Sequence, residues 1–171
     1  MDDRKVTLMG DDLSQVHCDA KKLGDKLRQH HLTLATAESC TGGQLAQTIT
    51  SVPGASAWFE CGWITYSLLS KQQLLGIDPA VLKHYGPVSE ETALAMAKGA
   101  LAKSTAQLSI AITGIAGPEG GTKKNPVGKL WMAWIGNTFS KTQCQHYSGE
   151  RLIIRYNAVE FALQTLLKLI K

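Results

Sequence analysis

The chain has 171 residues, 44% of them hydrophobic and 19% charged, with a formal net charge of +4 at pH 7. That length suits one domain with a sizeable core, and that composition excludes a disordered or low-complexity chain. No apolar run approaches the roughly 20 residues that span a bilayer, and the start Met-Asp-Asp-Arg-Lys lacks the basic-then-apolar form of a secretion signal, so a cytoplasmic location is expected.

The first ten residues read as an N-terminal tail. From Asp11 to His31, Leu13, Val16, Ala20, Leu23 and Leu27 recur at helical spacing, which predicts an amphipathic surface helix. Leu32 to Thr36 is short and apolar enough for a buried strand. It runs into Ala37-Glu38-Ser39-Cys40-Thr41-Gly42-Gly43 and then a predicted helix, Gln44 to Thr50, closed by Val52-Pro53-Gly54. Trp58 to Ser67 alternates as a strand, with Phe59, Cys61, Trp63 and Thr65 on one face. Leu68, Leu69, Leu74 and Leu75 predict a short buried helix carrying Lys71. Asp78-Pro79 opens another, ending near Gly86-Pro87. Ser89, followed by Glu90 and Glu91, reads as the N-cap of a helix to Lys103 with Leu94, Ala97 and Leu101 inward. Gln107 to Thr113 is strand-like and ends in a second glycine loop, residues 114–121. Val127 to Ile135 and Thr142 to Tyr147 read as a hairpin across Gly136-Asn137. Glu150 to Ile170 reads as a closing helix with Ile153, Tyr156, Val159, Leu163, Leu166 and Ile170 inward. Alternating strands and helices predict a single-domain three-layer α/β/α sandwich with a mixed sheet, its last two strands antiparallel.

Two glycine loops that each follow a strand are expected to meet at the carboxyl end of the sheet, where open α/β folds bind ligands. At the first, unpaired N–H groups and the dipole of the following helix favour an anion or a developing oxyanion, and Ser39, Cys40 and Thr41 supply three candidate nucleophiles or donors. The structural alternative is a tight turn with Thr41 as N-cap. Neither loop is a nucleotide fingerprint, and there is no Gly-x-Ser-x-Gly elbow. With no histidine standing out as base, a hydrolase built on Ser39 needs another one, and a lysine serves only if burial lowers its pKa; Lys71 among its leucines is the candidate, a solvated surface charge the alternative. Residues 1–97 carry a net −3 and residues 98–171 a net +7, an asymmetry that suits an anionic partner. Scattered basic residues without interleaved aromatics favour a small phosphorylated molecule over nucleic acid. Arg151 and Arg155, four apart, could grip a phosphate or pair with carboxylates such as Glu150. The four cysteines and five histidines show no ligand spacing, so no metal and no cofactor are expected.

Six motifs then occur in order: Thr-Ala-Glu-Ser-Cys-Thr-Gly-Gly (36–43), Thr-Tyr-Ser with Lys71 (65–71), Gly-Pro-Val-Ser (86–89), Thr-Gly-Ile-Ala-Gly-Pro-Glu-Gly-Gly (113–121), Pro-Val-Gly (126–128) and Gly-Glu-Arg (149–151). Together they resemble the CinA C-terminal domain family, whose stand-alone members include nicotinamide-nucleotide amidohydrolases. The resemblance implies deamidation of nicotinamide mononucleotide to nicotinate mononucleotide and ammonia in NAD salvage, by a metal-free serine–lysine mechanism. It implies catalytic roles for Ser39, Lys71 and Tyr66. It implies substrate binding by Thr41, Gly42 and Gly43, by Thr113, Gly114, Ile115, Ala116 and Gly117, and by Arg151. A homo-oligomer is expected from the family alone, with no membrane or nucleic-acid partner. The sequence departs from the family pattern at Leu68-Leu69, where Asn-Glu is usual, and at Asn125, where Lys is usual. The alternative reading is a non-catalytic nucleotide- or partner-binding module tied to competence or DNA damage.

Overall fold

The structure, a computed structural model, describes residues 4–171, with side chains from residue 15 onward. In chain order the strands are β1 (Leu34–Glu38), β2 (Phe59–Ile64), β3 (Leu108–Gly114), β4 (Lys129–Gly136) and β5 (Phe139–His146). The helices are α1 (Arg4–Gln29), α2 (Gln44–Thr50), α3 (Leu68–Leu75), α4 (Pro79–Tyr85), α5 (Glu90–Ala102) and α6 (Arg151–Leu169), with a 3-10 turn at Ala55–Ala57. The strands form one sheet in the order β2-β1-β3-β4-β5. β1 pairs in parallel with β2 and β3, and β4 and β5 continue the sheet antiparallel, so the expected mixed sheet is present.

The two faces of the sheet differ in side-chain size. Leu34, Leu108, Ile110, Ile112, Leu130, Met132 and Trp134 pack under α1, α2 and α6. Ala35, Ala37, Ala111 and Ala133 face α3, α4 and α5, whose Ala93, Met96, Ala97 and Ala100 are buried. Small residues on both sides let α5 lie close to the sheet. α5 also touches α3 without a side chain between them: a Cβ at Gly99 would lie 2.3 Å from the Leu75 carbonyl oxygen. Gly99→Ala is therefore expected to lower the unfolding free energy by about 1–3 kcal/mol in a urea titration, despite the better helix propensity of alanine.

Several details depart from the pattern. α1 begins at Arg4, so residues 4–10 are helical rather than a tail, while Leu13 lies outside the residues whose side chains are described. A bulge after Leu34 sets Phe59 opposite Leu34 but Cys61 opposite Ala35. Phe59 consequently packs on the α1 side and Cys61 and Trp63 on the α5 side, which strict alternation could not show. Trp58, wholly buried, fits against α1 because Gly24 leaves room for its indole. Leu94 and Leu101 are only half-buried, because α5 presents its alanine stripe instead. On α6, Ile154 replaces Ile153 on the inward face, and Ile153 is exposed.

Candidate active site

β1 ends at Glu38, and Ser39 extends its ladder by one bond, its N–H donating to the Ile112 carbonyl at 2.9 Å. Ser39 is thereby fixed at the carboxyl edge of the sheet, nearly buried. The chain then turns through Gly42 and Gly43, both in the left-handed region where glycine is favoured. Gly43, not Thr41, is the N-cap of α2, and the Thr41 hydroxyl is buried without a partner among the described residues.

The start of α2 is not open to an anion. The buried Glu38 carboxylate accepts from the backbone N–H groups of Gly43 (3.1 Å), Leu45 (3.0 Å) and Ala46 (2.8 Å). Those are the orphan donors of the helix end, now satisfied by a charged group of the chain itself. Gly42 N–H is also committed, to the Ser39 carbonyl. The sequence signal was available, since an acid stands just before the turn, but its side chain reaches forward by five to eight residues.

Lys71 sits in the first turn of α3. That helix starts at Ser67, whose hydroxyl caps Ser70 N–H while Ser70 Oγ accepts from Ser67 N–H. The cap aims Lys71 inward, where it is 1% exposed. Its Nζ lies 2.8 Å from Ser39 Oγ and 2.5 Å from the Thr65 carbonyl oxygen. Burial lowers its pKa from the ordinary 10.5 to about 8, slightly opposed by the Cys40 thiol. The leucines expected to bury it do not: Leu68, Leu69 and Leu74 are exposed, and only Leu75 is inside. Lys71 is buried by the strand ends instead.

A cleft of about 470 Å³ opens over this pair. Residues 113–117, Tyr66 and Arg151 line it with Ser39, Cys40 and Lys71, and so do Ser67, Leu68, Pro87, Val88, Glu119 and Gly120, which stand in the sequence motifs but were assigned no role. Thr41, Gly42 and Gly43 do not line it; the two glycines border a separate depression with Gln44, Gln47, Leu152 and Arg155. Tyr66 is exposed, and its hydroxyl accepts from Arg151 Nη2 at 3.0 Å rather than meeting Ser39 or Lys71. Arg151 Nη1 also donates to the Gly117 carbonyl at 2.7 Å, bridging the second loop to Tyr66. Thr113 Oγ1 is committed to the Pro87 carbonyl, 2.7 Å away. Gly114 is glycine because β4 is close, a Cβ there falling 2.6 Å from the Lys129 carbonyl oxygen. Among the described residues no carboxylate pairs with Arg151 or Arg155, and no group of three or more His, Cys, Asp or Glu could hold a metal ion.

With this geometry in view, the comparison with known proteins is direct: the family described as "CinA C-terminal domain" matches residues 18–170. The chain belongs to the CinA C-terminal domain family. It is 43% identical over 150 residues to the nicotinamide-nucleotide amidohydrolase PncC of Pseudomonas putida, covering 88% of this chain and 94% of that protein. It is also 43% identical over 159 residues to a CinA-like protein of Colwellia psychrerythraea, covering 90% of this chain but 35% of that longer protein. Among solved structures, the competence/damage inducible protein CihA from Agrobacterium tumefaciens superposes with a TM-score of 0.90 at 36% identity, covering 92% of this chain and 96% of that one.

In this CinA C-terminal domain the cleft holds two groups that could attack an acyl carbon. The Cys40 thiol, 5% exposed, is pushed up to about 12 by burial and stays neutral at pH 7. Cys40→Ser is accordingly expected to keep turnover within about threefold of wild type, measured as initial rates of ammonia release.

Proposed function

We propose that this protein is a nicotinamide-nucleotide amidohydrolase that converts nicotinamide mononucleotide and water to nicotinate mononucleotide and ammonia through a Ser39 acyl-enzyme, in pyridine-nucleotide salvage. The observation that carries the chemistry is the 2.8 Å contact between Ser39 Oγ and a buried Lys71 Nζ. The likeness to stand-alone relatives named for this activity supports the substrate.

In its neutral form Lys71 donates to the Thr65 carbonyl and keeps its lone pair for the Ser39 proton. Ser39 Oγ attacks the carboxamide carbon as that proton passes to Nζ. The amides of Gly42 and Gly43 are committed to Ser39 and Glu38, and Thr41 lies outside the cleft, so none of the three meets the oxyanion as the site stands. Collapse of the tetrahedral adduct breaks the C–N bond, and the Lys71 ammonium returns its proton to the leaving amine, releasing ammonia. Water then attacks the ester, giving a proton to Lys71 and freeing the acid and Ser39. Tyr66, Arg151 and the 113–117 loop border the rest of the cleft, where Arg151 supplies positive charge for the nucleotide phosphate.

Ammonia release from nicotinamide mononucleotide by the purified protein tests the proposal. The non-catalytic alternative predicts binding without turnover, and the Lys71–Ser39 contact favours catalysis over it. We further infer a cytoplasmic homo-oligomer. No helix among the described residues is long and apolar enough to cross a membrane, and the four cysteines are unpaired. Ile64, Tyr66, Leu68, Leu69, Leu152 and Ile153 are exposed, Tyr66 and Leu68 of them lining the cleft, which supports a subunit contact; sedimentation of the protein checks it.

A further inference from the structure

We infer that Arg155 is a positioning residue, which holds the Ser39 turn in its reactive shape and does not bind substrate. The inference rests on the serine–lysine reading above. Arg155 lies on the second turn of α6, and its Nη2 donates to the Thr41 carbonyl, a contact spanning 114 residues of sequence. The guanidinium packs against the turn so closely that a Cβ at Gly42 would lie 3.3 Å from Nη2. Its Nε is buried with no partner among the described residues, although the residue as a whole is half-buried. It does not line the cleft that holds Ser39 and Lys71, whereas Arg151, one turn earlier, does.

The turn is thus held at both ends by charged hydrogen bonds of opposite sense. Glu38 draws in the N–H groups of Gly43, Leu45 and Ala46, and Arg155 draws on the carbonyl of Thr41. The carbonyl that Arg155 holds belongs to the Thr41–Gly42 peptide, whose N–H donates to the Ser39 carbonyl. Without Arg155 only the Gln44 N–H, at 3.2 Å, holds that carbonyl, so the Thr41–Gly42 plane tilts more freely and carries Ser39 with it, and a small misplacement of the nucleophile lowers the rate without weakening ground-state binding.

The test compares wild type, Arg155→Met and Arg155→Lys by three measurements. One is kcat and KM for nicotinamide mononucleotide. Another is the rate at which a small alkyl fluorophosphonate labels Ser39, forming the Oγ–P bond as fluoride leaves and Lys71 takes the proton. The third is the melting temperature. Arg155→Met is expected to lower kcat and the labelling rate together by about 30-fold or more, with KM within about threefold. Arg155→Lys, which keeps a charged donor, is expected to recover at least about a third of the lost labelling rate on a logarithmic scale. A rise in KM with unchanged labelling overturns the inference and makes Arg155 a substrate ligand. Equal losses in both variants reduce it to packing and also overturn it. If Arg155→Met does not fold, the split between labelling and KM in Arg155→Lys decides alone. A wild type that is labelled at Ser39 yet leaves nicotinamide mononucleotide intact overturns the substrate reading only, because labelling still reports on Arg155.

Discussion

Ser39→Ala is expected to reduce ammonia release from nicotinamide mononucleotide by at least about a thousandfold while nucleotide affinity changes by no more than a few-fold. The hydroxyl is the attacking atom, so its loss removes the covalent route rather than a contact shared by ground and transition states. No neighbour replaces it. The Cys40 thiol, though it borders the cleft, is held near 12 and stays protonated, and Thr41 is fully buried outside the cleft. Initial-rate ammonia assays paired with calorimetric titration of the nucleotide separate the two quantities. A Ser39→Ala protein with full activity would refute the nucleophile.

Lys71→Met is expected to be as inactive, and Lys71 gives wild type a characteristic pH dependence. The reactive species is the neutral amine, so kcat/KM should rise with pH through about 8 and level off above it, gaining roughly tenfold between pH 7 and the plateau. Lys71→Arg should not rescue, because a guanidinium remains charged throughout. Stability carries the same signature. The folded pKa near 8 lies below the unfolded 10.5, so between these values the unfolded chain binds the extra proton and folding becomes more favourable as pH rises. Over that window wild type should gain about 3 kcal/mol of unfolding free energy, by the ~1.4 kcal/mol attached to each pH unit, and Lys71→Met should show no such gain. Denaturant titrations at pH 7.5 and 10.5 measure the difference. A flat rate profile from pH 6.5 to 9.5 would show that Lys71 is not the base.

Much of the architecture was legible because local signals and tertiary demands agree. The apolar run before Ser39, the run before Thr113 and the hairpin at Gly136 became strands, and Ser89 capped α5 as its acidic first turn implied. The nucleophile and the lysine were legible as residue types, but the reason for the lysine's burial was not. Flanking leucines suggested an apolar pocket, yet three of the four face solvent, and the Nζ meets Ser39 and Thr65 just past the ends of β1 and β2, which only their parallel pairing brings together. An acid before the turn hinted at the Glu38 contact with the start of α2 without showing its reach, and sequence could not show that Arg155 serves the Thr41 carbonyl. Both depend on where a long side chain reaches across the fold. The bulge at Phe59 is a similar case, because one extra residue in a strand leaves the composition of that strand unchanged.

α6 has a consequence for how activity arises during synthesis. Arg151 and Arg155 fasten loops made near the first quarter and the last third of the chain, and both arginines lie in the final helix. A nascent polypeptide that has already folded its sheet still carries an unbraced serine turn until α6 has emerged and docked. Competence to hydrolyse an amide therefore waits on α6, whatever the sheet has already done.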